Sequence, residues 1–294
     1  MRVALTGVSG FIGSNIARRL HAAGHQVTGL VRGSSRRDHV EAWVDRFVIG
    51  DQGSTAAWSD LLDGADAVVH NSVDFAALKR PDGFRAHLES NVLGAIELLH
   101  TAAPRQFIFM SSVAVHHDIL PRWQGMIEED HPLRPSTWYG AAKAAVEAHL
   151  WAAWHGQGQS TCAFRPAAVY GIDPKPERTI GHPIVERLRT RKRFSRTGGG
   201  KFVHVDDVAA AVTAAVGNDA TAGRAYDMAD CYARWCDWAR MIADELGIEA
   251  DIDESSAQEP RNAFRCDAVR ELGVPLERGL DGIRQHVRDL VEIT

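Results

Sequence analysis

Cysteine is scarce in this chain: four in 294 residues, Cys162, Cys231, Cys236 and Cys266, with neither zinc-type spacing nor the density of a disulfide scaffold. They read as reduced thiols, which places the protein in the cytoplasm. Long apolar runs are absent as well. None approaches the roughly 18 residues of a membrane span, so no integral membrane protein is expected. The opening Met1-Arg2-Val3-Ala4-Leu5-Thr6-Gly7 has too short an apolar part for a signal peptide. Positive charge is not in excess: 33 Lys and Arg stand against 38 Asp and Glu, a net charge of −5, which argues against nucleic acid as the partner. There is no internal repeat and no low-complexity tract. The 45% hydrophobic and 24% charged fractions exclude a disordered chain, and the length suits one large α/β domain or two lobes.

Short β-rich runs alternate with helical patterns through the first 166 residues, the rhythm of βαβ units and a parallel sheet. Strands are expected at 2–6, 26–31, 46–49, 67–70, 106–111 and 161–166, and helices at 12–23, 59–62, 84–102 and 139–156. The strands are near-continuously apolar, as they must be when helices cover both faces. After Pro166 the rhythm breaks into prolines, a basic run and Gly198-Gly199-Gly200. A further strand over 226–228 and amphipathic helices over 235–246 and 279–291 follow. The expected fold is α/β: a doubly wound, Rossmann-type parallel sheet with a small α/β C-terminal substrate lobe. The nucleotide-binding lobe takes 1–170 and is rejoined at about 203–229, and the substrate lobe takes 171–202 and 230–294.

Thr6-Gly7-Val8-Ser9-Gly10-Phe11-Ile12-Gly13 lies between the first strand and the first helix. Glycines there allow a tight turn and close approach of the backbone to a pyrophosphate, which the helix N-terminus favours electrostatically. The spacing is GxxGxxG rather than the GxGxxG of the common dinucleotide fingerprint. The second strand ends in Val31 where an NAD-binding protein usually carries an acid for the ribose hydroxyl. Arg32, Arg36 and Arg37 follow it, suited to the 2′-phosphate of NADP(H). NADP(H) is therefore the preferred cofactor, with NAD(H) as the alternative; a plain solvated basic loop is the other reading of these arginines.

Tyr139-Gly140-Ala141-Ala142-Lys143 opens an alanine-rich helix, and residues i and i+4 share a helix face. A phenol is a poor base at neutral pH, and a nearby cation favours its phenolate. Tyr139 is thus a candidate general acid/base for an alcohol–ketone pair and Lys143 its electrostatic tuner. Together with the glycine turn, this pair resembles the short-chain dehydrogenase/reductase superfamily. Further segments resemble its extended, epimerase/dehydratase-like branch: Val68-Val69-His70, Asn91-Val92-Leu93-Gly94, the strand from Phe107 to Ser112, Arg165 to Gly171, Phe202 to Asp207, and Glu271-Leu272-Gly273.

The resemblance implies roles for particular residues. Ser112 would hydrogen-bond the substrate oxygen, with Ser111 a structural neighbour, and Lys143 would also hold the nicotinamide ribose. Gly7, Gly10, Phe11, Ile12 and Gly13 would take the pyrophosphate, and Asp51 and Gln52 would lie along the adenine. His70 and Asn71 would sit beside the cofactor, and Pro166 and Val169 near the nicotinamide. Asn91 would serve packing or the cofactor, and Asp206 and Asp207 would cap the following helix. The branch also implies a homodimer, its NVxG and Tyr/Lys helices pairing across a two-fold axis. In the second of these Leu150, Trp151 and Trp154 need covering.

Three departures bear on the reaction. Val113-Ala114 stand where dehydratases of the branch carry an acid pair. Gly200-Lys201 precede Phe202 where nucleotide-sugar enzymes often carry an arginine. His116-His117 replace the usual VYG ending; no ligand cluster accompanies them, so no metal is expected. The basic run from Arg187 to Arg196 is a solvated surface or a hold for an anionic substrate group; no aromatic platform accompanies it for nucleic acid. The reading is an NADP(H)-dependent reductase/dehydrogenase for a small carbonyl or secondary alcohol, working through a Ser112–Tyr139–Lys143 relay. A sugar or nucleotide-sugar epimerase is the alternative, and a cofactor-sensing regulator is disfavoured by the intact Tyr/Lys pair.

Overall fold

Apolar side chains on both faces force the central strands into the middle of the molecule. Every residue of β4 (Ala67–His70), β5 (Gln106–Met110) and β7 (Thr161–Pro166) is buried. With β1 (Arg2–Thr6), β2 (Gln26–Val31), β3 (Arg46–Ile49) and β11 (Arg224–Met228) they form one parallel sheet in the order β3-β2-β1-β4-β5-β7-β11. The computed structural model describes residues 1–116 and 125–294.

Helices cover both faces. One side holds α1 (Phe11–Ala22) and α8 (Val205–Ala215), packed on each other through Ile16, Ala17, Leu20, Val208, Ala211 and Val212. The other holds α2 (Trp58–Leu62), α5 (Gly94–Ala102) and α6 (Trp138–Gln157), around Trp58, Leu98, Leu99, Val146 and Leu150. Chain order reverses between β1 and β4, and the crevice at the carboxyl ends of the strands opens there, the usual ligand position in a doubly wound sheet. Short helices α3 (Phe75–Lys79) and α4 (Phe84–Leu88) follow β4 along its rim.

A second body is built on β8 (Ala168–Tyr170), β10 (Gly199–His204) and β12 (Cys231–Arg234), with α7 (His182–Arg191), α9 (Trp235–Glu245) and α11 (Gly279–Ile293). Its core gathers Tyr170, Phe202, Trp238, Ile242, Ile283 and Leu290. Two-stranded additions join β9 (Arg193–Phe194) to β13 (Asp251–Ile252), and β6 (Met126–Ile127) to β14 (Ala263–Phe264). The stretch after β14, including α10 (Asp267–Glu271), departs from the expected boundary: Cys266, Val269, Val274 and Leu276 join the core of the large sheet.

Other differences are local. The helix expected over 84–102 is interrupted by a π turn at Glu89–Leu93, and β5 ends at Met110. The cap of α8 is His204, whose ring accepts from the Asp206 N–H. Asp206 and Asp207 lie in the first turn and pair with Arg18 and Arg278 instead. Among the described residues no helix is long and apolar enough to cross a membrane.

Candidate active site

A cleft of about 640 Å³ runs along the carboxyl ends of β1, β2, β4, β5 and β7. Its floor begins at the glycine turn. Gly7 has φ +70°, a left-handed backbone that a side chain would strain, and its carbonyl accepts the Gly10 N–H at 3.0 Å. A Cβ on Gly13 would fall 2.0 Å from the Gly7 oxygen, so only glycine lets α1 approach the turn. Gly13 accordingly stands behind the cleft wall, where its service is packing; Gly7, Gly10, Phe11 and Ile12 line the cleft. Among the described residues no side chain caps α1, and Gly10, Phe11 and Ile12 at its start line the cleft, where a helix N-terminus favours an anion.

At the β2 end the cleft is lined by Arg32, Arg36, Asp51 and Gln52. Arg32 is exposed, and its side chain makes no hydrogen bond or ion pair among the described residues. Arg36 is held by Asp38 at 2.7 Å, and Arg37 turns away over the Phe47 ring. Of the three arginines, Arg32 is the one left for a ligand. Asp51 accepts its own turn's Gly53 N–H, while Gln52 donates to Asn91 at 2.9 Å. Asn91, on the π turn, also accepts from the Asp74 N–H at 2.7 Å; it supports the cleft wall from behind.

His70 is not on the wall. Its ring is buried, stacked on Phe109 and paired with the Thr6 hydroxyl at 2.9 Å. Burial, helped by the charge of Lys143, pushes its pKa down to about 3, so it is a neutral brace beneath the floor. Its neighbour Asn71 does line the cleft, as do Pro166 and Val169 on the far side.

Helix α6 delivers the reactive side chains. Thr137 caps it, accepting from the Gly140 N–H at 3.0 Å, which fixes the first turn beside the end of β5. Along one face, Tyr139, Lys143 and Glu147 then meet Ser112, Met110 and Ser111: a phenol–hydroxyl hydrogen bond, an ammonium on a carbonyl at 2.6 Å, and a hydroxyl donated to a carboxylate. Ser112, Tyr139 and Lys143 all border the cleft. Burial raises the Tyr139 pKa, against the Ser112 hydrogen bond, and lowers that of Lys143 to about 7, against the charge of Glu147. The expected shift of Tyr139 toward phenolate is therefore not seen, because desolvation outweighs the Ser112 hydrogen bond. A neutral phenol next to the cleft is a proton donor, the form carbonyl reduction requires.

Behind this ladder lies a feature the sequence reading missed. Arg165 on β7, buried, donates to Glu147 at 2.6 and 3.1 Å and faces Asp227 of β11 at 3.6 Å. Asp227 also faces His116 at 3.6 Å. The signal in the sequence was a charged residue in the middle of two apolar strands. No group of three metal-ligating side chains is present among the described residues, and His117 lies outside them.

Similarities to known proteins follow the same outline. The profile of the NAD dependent epimerase/dehydratase family matches residues 3–229. A dTDP-glucose 4,6-dehydratase of Mycolicibacterium smegmatis is 29% identical over 273 residues, covering 85% of this chain and 79% of that protein. A 4-hydroxy-2-methyl-3-oxo-4-farnesyl-3,4-dihydroquinoline-1-oxide ketoreductase of Stigmatella aurantiaca is 27% identical over 290 residues, covering 95% and 82%. Among solved structures, a UDP-galactose 4-epimerase superposes with a TM-score of 0.80 at 23% identity, covering 100% of this chain and 99% of the other. Glycine turn, Tyr/Lys helix and sheet order thus accompany a family match over most of the chain: it belongs to the NAD-dependent epimerase/dehydratase family.

Proposed function

We propose that the protein is an NADP(H)-dependent reductase/dehydrogenase acting on a small carbonyl compound or secondary alcohol. The convergence of Ser112, Tyr139 and Lys143 on a cleft that begins at a glycine turn carries the reading. The nicotinamide, when bound, supplies or takes up the hydride. Ser112 orients the substrate oxygen, Tyr139 gives that oxygen its proton in reduction, and Lys143 holds the ribose and the positive charge beside the phenol. Val113 and Ala114, which follow Ser112 in a short 3₁₀ turn, have no proton to transfer, which counts against a dehydratase. A panel of carbonyl compounds, with NADPH consumption followed by its ultraviolet absorbance, tests the reading. Interconversion of epimers with no net cofactor use would give the reaction to the epimerase alternative.

The preference for NADP(H) rests on Arg32, with Val31 in the acidic position. A charge-assisted guanidinium–phosphate contact is directional, and its loss by Arg32→Ala is expected to weaken NADPH roughly 10-fold or more while leaving NADH nearly unchanged. Fluorescence titration of both cofactors decides; equal affinities in the unaltered protein would refute the preference.

The lowered pKa of Lys143 sets an expected pH profile. Below about 7 the ammonium is charged and above it the charge is lost. The kcat/KM for the cofactor, which reports the free enzyme, should therefore fall as pH rises past about 7, and a flat profile from about pH 6 to about pH 9 would remove Lys143 from cofactor binding.

A homodimer is also proposed, through the expected NVxG and Tyr/Lys helices but at residues other than Leu150, Trp151 and Trp154. Leu150 is buried, and Trp154 lies against Gly223, so this part of α6 is largely covered within the chain. Phe84, Leu88, Leu93 and Trp138 are each at least 40% exposed, with Phe84 edge-on to Trp138. These belong to the NVxG and Tyr/Lys helices, and an apolar surface of this kind favours isologous pairing. Light scattering should give twice the 32.2 kDa chain mass, and Trp138→Glu should lower it.

A further inference from the structure

We propose that the substrate is an aryl carbonyl compound bearing an anionic group, its ring set on Phe75 and its anion held by Lys175 and Arg178. The inference rests on the reductase reading and names the substrate class that reading leaves open. Three observations on the cleft carry it.

The first is an aromatic wall beside the proton donor. Phe75 opens α3, borders the cleft and stays 53% exposed, yet its ring lies 5.5 Å from that of Tyr139 at a 30° tilt. A half-exposed phenyl ring next to the reactive phenol offers a flat apolar surface where the group attached to the carbonyl must lie. Aromatic rings so placed prefer offset or tilted partners of their own kind.

The second is the fate of the acids. Asp51, Asp74 and Asp173 all border the cleft, and each is committed to its own backbone. Asp51 accepts from Gly53, Asp74 from Ala76 and Ala77 at the cap of α3, and Asp173 from the Lys175 N–H at 2.8 Å. The third is the state of the cations. Lys175 and Arg178 follow β8 on the substrate-lobe side of the cleft and are exposed, and their charged groups have no carboxylate partner among the described residues. Backbone N–H groups leave a carboxylate its charge but occupy its acceptor sites, and on that side the cleft lining carries two cations, Lys175 and Arg178, against the one acid Asp173. Ammonium and guanidinium groups facing a cleft bind carboxylate or phosphate by charge-assisted hydrogen bonds.

The test uses the full chain saturated with NADPH and reads binding before turnover. Calorimetry compares benzoate, cyclohexanecarboxylate and benzyl alcohol. Benzoate should bind tightest; Phe75→Ala should erase its advantage over cyclohexanecarboxylate, and Lys175→Gln/Arg178→Gln should erase its advantage over benzyl alcohol, each by roughly 10-fold. Turnover then compares para-carboxybenzaldehyde with benzaldehyde, and the charged aldehyde should be favoured in kcat/KM by a similar ratio. Equal binding of all three probes overturns the proposal. So does a double variant that weakens NADPH instead of benzoate, which would assign the two cations to the cofactor. Benzoate selectivity without reduction of any aldehyde would leave the anion and ring sites standing and sink the reductase reading alone.

Discussion

Tyr139→Phe is expected to lower kcat for carbonyl reduction by roughly 10²–10⁴-fold, with NADPH affinity nearly unchanged, because one proton donor is removed and no cofactor contact is. The phenol is half-buried beside Ser112, and burial keeps it protonated well above neutral pH. In reduction the substrate oxygen gains negative charge as hydride arrives, and the phenol proton neutralises it. Phenylalanine fills the same space against Phe75 but has no proton to give. The comparison with Ser112→Ala separates proton delivery from orientation. That variant should raise KM as well as lower kcat, since the Ser112 hydroxyl both meets Tyr139 and accepts from the Ala114 N–H. Retention of full turnover by Tyr139→Phe would remove the relay from the mechanism, and a parallel loss of NADPH binding would recast the phenol as a cofactor contact.

The sheet was legible because its strands are apolar on both faces and separated by helical periodicity. Six of its strands stand within a residue of their expected bounds. The second body was less legible for a physical reason. The strands β8 and β12 have three and four residues, and β10 begins with two glycines, so none shows the alternation that marks a half-buried strand. In the cleft, residues fixed by backbone geometry were foreseeable: the glycine turn, and Tyr139 with Lys143 one helical turn apart. Roles set by packing were not. His70 and Gly13 support the cleft from behind, and the protonation of Tyr139 follows from burial, which i,i+4 spacing does not reveal. The same holds for Arg36, whose engagement with Asp38 depends on the fold of a loop.

The second large effect is on stability, and it originates behind the reactive residues. Arg165→Met should destabilise the protein by about 3–5 kcal/mol, the cost of leaving buried charge uncompensated. Arg165 is 1% exposed, and Glu147 and Asp227 are fully buried. The guanidinium makes three contacts to Glu147 within 3.1 Å and faces Asp227, so its removal strands two carboxylates between β7, β11 and α6. Lysine in its place retains the charge but cannot span Glu147 bidentately while facing Asp227, so Arg165→Lys should recover part of the loss. Urea unfolding without cofactor is the suitable measurement, because a ligand that binds only the folded state would mask the difference. A loss below about 1 kcal/mol would show that water or rearrangement compensates the carboxylates. The consequence extends to the chemistry, since Glu147 also receives the Ser111 hydroxyl and lies one turn beyond Lys143 on the same face of α6. A shift of that carboxylate moves the end of β5, where the Met110 carbonyl holds the Lys143 ammonium and Ser112 meets Tyr139. Folded Arg165→Met should accordingly turn over more slowly than its remaining stability alone would dictate.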